Sequence, residues 1–305
     1  MLIRPNEVKG MFHVHPEGTD EHAHAEGEQL RQEVQEKLDL QEVYGGIHFV
    51  DPSRPEKTPD IEENLDSLEA AGIRPGIEFN IIQAEEGWRL DISPEELRAL
   101  KEEHPGLLAI ASIHAVKAFG FTKESDSEAA PEQTADAMLA AYTDLIGTYG
   151  SSLDVLGHPF GYVTTEVTPE HMRQLASLAS EQGIALEINL ANTGLYNLHE
   201  KEFLPSVEQI TQWNPVLRFP EVLEESDVLL SIGGDFHGNS TIEQKMLAGT
   251  LTDEERFQDS EFTYAALRMM VALDRYMQQH DISRERIINT WDSEDVASWS
   301  SRCFR

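Results

Sequence analysis

Two histidines two residues apart, His13 and His15, and an acid–histidine pair with the same spacing, Asp235 and His237, are the residues best suited to chemistry in this chain. Residues i and i+2 of a β-strand face the same way, so His13 and His15 can present two imidazoles to one cation. Comparable residues recur along the chain. Glu78 lies in Gly-Ile-Glu-Phe-Asn, His114 ends Ala-Ser-Ile-His, His158 ends Asp-Val-Leu-Gly-His, and Glu187 and Asn189 lie in Leu-Glu-Ile-Asn. Taken alone, a strand-end histidine is more often a hydrogen-bonded structural residue than a ligand. Repetition at five strand ends favours a common site. Burying Glu78, Glu187 and Asp235 in such apolar runs is costly unless cations or hydrogen bonds compensate, and metal ions account for the acids and the histidines together. Imidazole mixed with carboxylate suits zinc, iron or manganese rather than calcium or magnesium alone.

Seven β-like runs are predicted to carry these residues: Met11–His15, Gly46–Asp51, Ile77–Ile82, Leu107–His114, Leu153–His158, Ile184–Asn189 and Val228–Asp235. Several are almost continuously apolar, as strands covered on both faces are. Helix-like segments alternate with them: Glu26–Val43, Ile61–Ala71, Pro94–Glu103, Pro131–Tyr149, Pro169–Gln182 and Phe262–His280. Ser93 followed three residues later by Glu96 reads as a capping box, and Thr168-Pro169 as a cap with proline in the first turn. Repeated strand–helix units predict an α/β fold with a parallel sheet, closed or nearly closed into a barrel, whose C-terminal strand ends assemble the site. The polar stretch Lys123–Thr134 is expected to be a long loop at the barrel mouth. The region after Leu251 is expected to form a C-terminal helical cap on one domain spanning 1–305.

Composition narrows the functions. The 305 residues include 56 acids and 23 bases, a formal net charge of -33. Such a field repels long nucleic acid and anionic membrane surfaces. It also repels phosphorylated substrates unless bound metal ions reverse the sign locally. The single cysteine, Cys303, excludes an intrachain disulfide and a thiolate metal cluster, and fits a reducing compartment. The first residues lack the apolar run of a signal peptide, and no apolar run reaches about 18 residues, so a cytoplasmic protein without a membrane span is expected.

The order His13-Val14-His15, Glu78, His114, His158, Glu187-Ile188-Asn189 and Gly234-Asp235-Phe236-His237 resembles the PHP family, named for polymerase and histidinol phosphatase. The resemblance runs over about residues 11–240. It implies a distorted seven-stranded TIM-like barrel with a trinuclear site and phosphoesterase activity. Glu187-Ile-Asn-Leu-Ala-Asn-Thr-Gly-Leu and the pair Gly120-Phe121 resemble the histidinol-phosphatase branch. Carried over by position, His13, His15, Glu78 and Asp235 would hold a first ion. Glu78 would bridge to a second ion held by His114 and His158. His237 and His22, with His24 and Asp20 as rivals to the latter, would hold a third. One motif departs from the pattern: Val50-Asp51-Pro52 stands where the family has an Asp-His pair, and His48 is three residues before Asp51. The expectation is therefore two or three divalent ions. Where the branch grips phosphate with arginine, this chain has Tyr196. Lys117 and Asn189 join Tyr196 as candidate substrate contacts.

The chemistry these residues suggest is hydrolysis of a small phosphate monoester, histidinol phosphate or a related phosphorylated metabolite, by a metal-bound hydroxide. Glu78 and Asp235 would flank the nucleophile, and Asp235 or His237 would protonate the leaving oxygen. Two alternatives use the same residues. One is an amidohydrolase on a similar barrel, disfavoured because no lysine stands at a strand end. The other is a non-catalytic metal-binding or regulatory module. A homo-oligomer is left open.

Overall fold

The structure is a computed structural model that describes residues 9–14, 35, 42–48, 60–84, 87–114, 134–161, 166–190, 206–236 and 270–304. For residues 14, 46–48, 84, 213, 235 and 236 only the backbone is described. Eight strands are seen: β1 Gly10–Val14, β2 Glu42–His48, β3 Arg74–Ala84, β4 Gly87–Leu90, β5 Leu108–Ser112, β6 Val155–Leu156, β7 Ala185–Asn189 and β8 Leu229–Phe236. Their order is β2-β1-β8-β7-β6-β5-β3-β4, and an additional β2–β3 pairing closes the ring. Seven strands thus form a closed parallel barrel, and β4 is added antiparallel to the overhanging end of β3. Among the described residues the helices include α1 Ile61–Ala70, α2 Pro94–Glu103, α3 Ala135–Tyr149, α4 Pro169–Gln182, α5 Val207–Trp213, α6 Pro220–Glu225 and α7 Ser293–Ser300. The architecture is the TIM-like α/β barrel expected.

Local chemistry accounts for the helix boundaries. Ser93 accepts from the Glu96 amide while Glu96 Oε2 accepts from the Ser93 amide, and Thr168 forms the corresponding box with His171. Gly183 ends α4 in the left-handed conformation that glycine adopts without penalty.

Alternation along each strand sorts the two faces. Ile77 and Phe79, Ala109 and Ala111, Leu186 and Ile188, and Leu230 and Ile232 point outward into the large core shared with Leu65, Leu97, Met138, Tyr142, Met172 and Leu175 of the helices. The residues between them point into the barrel. At the strand starts that interior is apolar, with Phe12, Tyr44, Leu108, Ile110, Val155 and Ala185 packed against Ile288 and Val296 from the C-terminal segment. The expected C-terminal cap therefore plugs the end of the barrel opposite the strand C-termini. Asn289 stitches it in place: its side chain accepts from the Ile232 amide at 2.6 Å and donates to the Ile232 and Gly10 carbonyls at 2.8 and 2.9 Å. A buried ion cluster does the same elsewhere. Asp154 meets Lys101 Nζ at 2.7 Å and Arg302 Nη1 at 2.7 Å, and Lys101 also donates to the Ser300 carbonyl.

Several boundaries differ from expectation. The predicted helix 26–43 overlaps the start of β2, because Val43 and Tyr44 are buried and Glu42 and Val43 pair with β1. Of its remainder only residue 35, which is helical, is described. The predicted strand starts at Gly46, whereas Gly45 and Gly46 both lie inside β2; a Cβ on Gly76 would sit 3.3 Å from the Gly45 nitrogen, so small residues permit close approach of two strands. Hairpin strand β4 and helices α5 and α6 were not anticipated. Strand β6 is two residues long where six were expected, since Leu153 belongs to the turn before it and His158 lies beyond it. The loop Lys123–Thr134 lies outside the described residues apart from Thr134, the N-cap of α3.

Replacing Asp154 with Ala leaves Lys101 buried without its main counter-charge and loosens Arg302. Unfolding free energy should fall by about 3–5 kcal/mol, as measured by urea denaturation. A loss below about 1 kcal/mol would show that the cluster is not what holds the plug.

Candidate metal centre

The barrel's small interior residues create the space for the site. Above the apolar layer, strands β5, β7 and β8 and the turn after β6 present Ser112, Glu187, Ser231, Gly233 and Gly157 inward, and β3 presents Glu78. A Cβ on Gly157 would lie 2.0 Å from Ser112 Oγ and 3.4 Å from Glu78 Oε1. Glycine at 157 is thus the only residue that leaves Glu78 and Ser112 room in this arrangement.

Glu78 is 0% exposed and stands midway along the eleven-residue strand β3, level with Ile47 and Ile110, not at a strand end as expected. The strand overshoots the rim to pair with β4, so its ligand lies lower than those of its neighbours. Three imidazoles converge on its carboxylate. His13 Nε2 lies 3.0 Å from Oε2; His114 Nε2 and His158 Nε2 lie 3.2 and 3.4 Å from Oε1. His114 and His158 each sit two residues past their strands, and the His114 side chain, 20% exposed, faces the mouth. Burial works against ionisation of Glu78. The His114 and His13 imidazoles, by charge and by hydrogen bonding, outweigh it and hold the carboxyl well below the usual carboxylate range.

Further groups take the outer imidazole nitrogens. His13 Nδ1 lies 2.6 Å from Glu187 Oε1, and His114 Nδ1 lies 3.3 Å from Asn80 Oδ1. Asn80, two residues after Glu78 on the same strand face, was overlooked in the sequence; the period of two could have found it. Glu187, read as another ligand-type residue, instead stands behind His13. His13 itself has φ 60, and the β1–β8 register shifts between Phe12 and Val14.

Glu78, His114 and His158 offer three ligand atoms that all lie within 4.8 Å of one another, a group that could hold a metal ion. The fit is chemically sound. Donors about 2.0–2.2 Å from a tetrahedral zinc are separated from each other by about 3.3–3.6 Å, close to the Glu78–His114 and Glu78–His158 distances. The second oxygen of Glu78 faces His13, so one carboxylate looks toward imidazoles on two sides. Asn189 is buried and donates Nδ2 to Glu187 Oε2 at 3.1 Å. It borders a cavity of about 10 Å³ with His158, Asn214 and Pro215, room for about one water rather than a substrate. Asp235 has its backbone in β8. The Asp235 side chain and His15, Asp20, His22, His24, Asp51, Pro52, Lys117, Tyr196 and His237, together with the side chain of His48, lie outside the described residues.

No family model matches the chain, and no curated protein does. Among solved structures, it is similar to a crystal structure of histidinol phosphate phosphatase (HisK) from Lactococcus lactis subsp. lactis Il1403 complexed with zinc, L-histidinol and phosphate. The two are 12% identical with a TM-score of 0.45, over 88% of this chain and 94% of that one. A family 18 chitinase from Crocus vernus is similar at 13% identity and a TM-score of 0.24, over 65% of this chain and 89% of that one. At these TM-scores neither likeness assigns an activity.

Two outcomes are expected. Glu78→Gln and His158→Ala should each weaken zinc binding by about 100-fold or more, beyond the range typical of supporting residues; unchanged metal content by elemental analysis would remove these side chains from the site. Lowering the pH from about 7 to about 5 should release the metal. Imidazole must be neutral to ligate, so protons compete with the ion for it, whereas the lowered pKa of Glu78 favours its ionised, ligating form.

Proposed function

We propose that this chain is a metal-dependent phosphoesterase of the PHP type, a single domain over 1–305 acting on a small phosphate monoester. The observation that carries this reading is the buried Glu78 carboxylate, with imidazoles from β1 and from the turns after β5 and β6 directed at its two oxygens. The chain's charge supports it: a protein at -33 needs local positive charge to admit a phosphate, and this cluster is where the chain would hold it.

In this reading His114, His158 and Glu78 would hold one ion. His13, Glu78, His15 and Asp235 would hold a second, and His22 with His237 would hold a third. Zinc, manganese or iron fits this donor set. A bound divalent ion supplies a Lewis acid for the phosphate oxygens and lowers the pKa of water toward neutrality. The chain's own residues do the rest. Glu78 presents one oxygen to His13 and the other to His114 and His158. The surrounding apolar barrel keeps the carboxylate and imidazoles in a medium where their fields are strong. Asp235 or His237 delivers a proton to the leaving oxygen, and Lys117 and Tyr196 line the substrate side, while Asn189 supports Glu187 from behind. Histidinol phosphate or a related phosphorylated metabolite is the proposed substrate. Among the described residues no helix is long and apolar enough to cross a membrane. We place the protein in the cytoplasm.

The protein loaded with manganese or zinc should hydrolyse p-nitrophenyl phosphate, and a panel of small phosphate monoesters should include one turned over faster. Glu78→Gln should lower kcat/KM by at least about 1000-fold, corresponding to about 4 kcal/mol of transition-state stabilisation. A metal-loaded protein that hydrolyses no phosphate ester in a broad panel refutes the assignment.

A further inference from the structure

The Glu187 carboxylate, buried to the same degree as Glu78, has a different set of neighbours. Oε1 lies 2.6 Å from His13 Nδ1. Oε2 accepts the His158 backbone amide at 2.7 Å and Asn189 Nδ2 at 3.1 Å. The side chain therefore reaches from β7 to β1 on one side and to the turn after β6 on the other. We propose that Glu187 is a positioning residue for the metal centre, a two-pronged clamp that fixes the tautomer and aim of His13 and ties the backbone carrying His158. This deepens the metal-centre reading and rests on it.

Three observations support the clamp. First, Glu187 occupies the Nδ1 side of His13, which leaves Nε2 as the nitrogen directed at Glu78 Oε2, 3.0 Å away. Second, both clamped residues have positive φ, 60 at His13 and 28 at His158, a backbone region that side-chain-bearing residues hold only when surrounding contacts impose it. Glu187 contacts both. Third, the path of the side chain across β8 requires a glycine. A Cβ on Gly233 would lie 1.7 Å from Glu187 Oε1 and 2.4 Å from its Cδ. Gly233 is not among the positive-φ glycines, so its backbone does not demand glycine and the space does. Steric room and hydrogen-bond geometry thus point to the same role by separate routes.

The role separates Glu187 from a ligand. Both its oxygens are engaged by donors, whereas Glu78 turns its oxygens toward imidazole Nε2 atoms. An outer carboxylate on a ligating histidine typically contributes 10–100-fold in metal affinity.

The test uses the full chain and zinc or cobalt alone. Zinc affinity is measured by competition with a chromophoric chelator, the cobalt-substituted protein by its visible absorption, and the His13 tautomer by ¹⁵N NMR of the zinc-loaded protein. In the zinc-loaded wild type His13 should keep its proton on Nδ1 and ligate through Nε2; ligation through Nδ1 overturns the clamp whatever the variants do. Glu187→Gln keeps the shape and one acceptor but sets its amide against the His158 N–H. It should weaken zinc binding by about 10–100-fold and shift the cobalt spectrum, with the protein still folded. Gly233→Ala, which displaces Glu187 without touching its chemistry, should reproduce that loss. In a Glu187→Ala background it should add almost nothing, because the two changes act through one contact. Unchanged affinity and spectrum in folded Glu187→Gln would leave Glu187 a structural residue. A loss as complete as that of Glu78→Gln would make it a ligand. Either result overturns the clamp alone, whereas a wild-type chain that takes up neither zinc nor cobalt overturns the metal-centre reading with it.

Discussion

A carboxylate enclosed in an apolar barrel is the constraint around which the site is organised. Glu78 has no access to water, and an isolated charge in such a place is prohibitively unfavourable. Its environment answers with three imidazoles directed at its two oxygens. Every neighbouring choice of residue then follows from volume or hydrogen bonding. Gly157 leaves room for the carboxylate and Ser112, Asn80 meets the far side of His114, and Glu187 meets the far side of His13.

The barrel separates two jobs along its axis. At the strand starts the interior is filled by Phe12, Leu108, Ile110, Val155 and Ala185 and closed by Ile288 and Val296, with Asn289 and the Asp154 cluster anchoring the plug by hydrogen bonds and charge. Toward the strand ends the same interior faces change to Glu, Ser, Gly, Asn and His. Stability is concentrated at one end and chemistry at the other, the division that a parallel barrel permits because all its strands point the same way. The sealed lower end lets the upper layer tolerate glycines and buried acids that would weaken an ordinary core.

Much of this is legible in the sequence. Continuous apolar runs identified strands covered on both faces, and caps at Ser93 and Thr168 placed two helix starts correctly. Strand β2 runs from Glu42 to His48 rather than from 46 to 51, because the helix-like run was carried to Val43, a residue that pairing with β1 places in the strand. The hairpin strand β4 was missed because its four residues alternate too briefly to be distinguished from a loop. In the site, His13, Glu78, His114 and His158 could be picked out by residue type and by their place in apolar runs. The level at which each sits could not, because β3 overshoots the rim while β5 and β6 stop short of their histidines.

By itself the sequence determined the inventory: which strands and helices alternate, which acids and histidines interrupt apolar runs, and that sulfur takes no part in the proposed site. Local periodicity and side-chain chemistry are properties of neighbouring residues, so they can be read without coordinates. The tertiary structure alone decided which oxygen of Glu78 faces which imidazole, that Glu187 reaches behind His13, and that Gly233 clears its way. Those relations join residues far apart in the chain, such as 13, 78, 187 and 233, and arise only when ring closure brings β1 against β8 and β2 against β3.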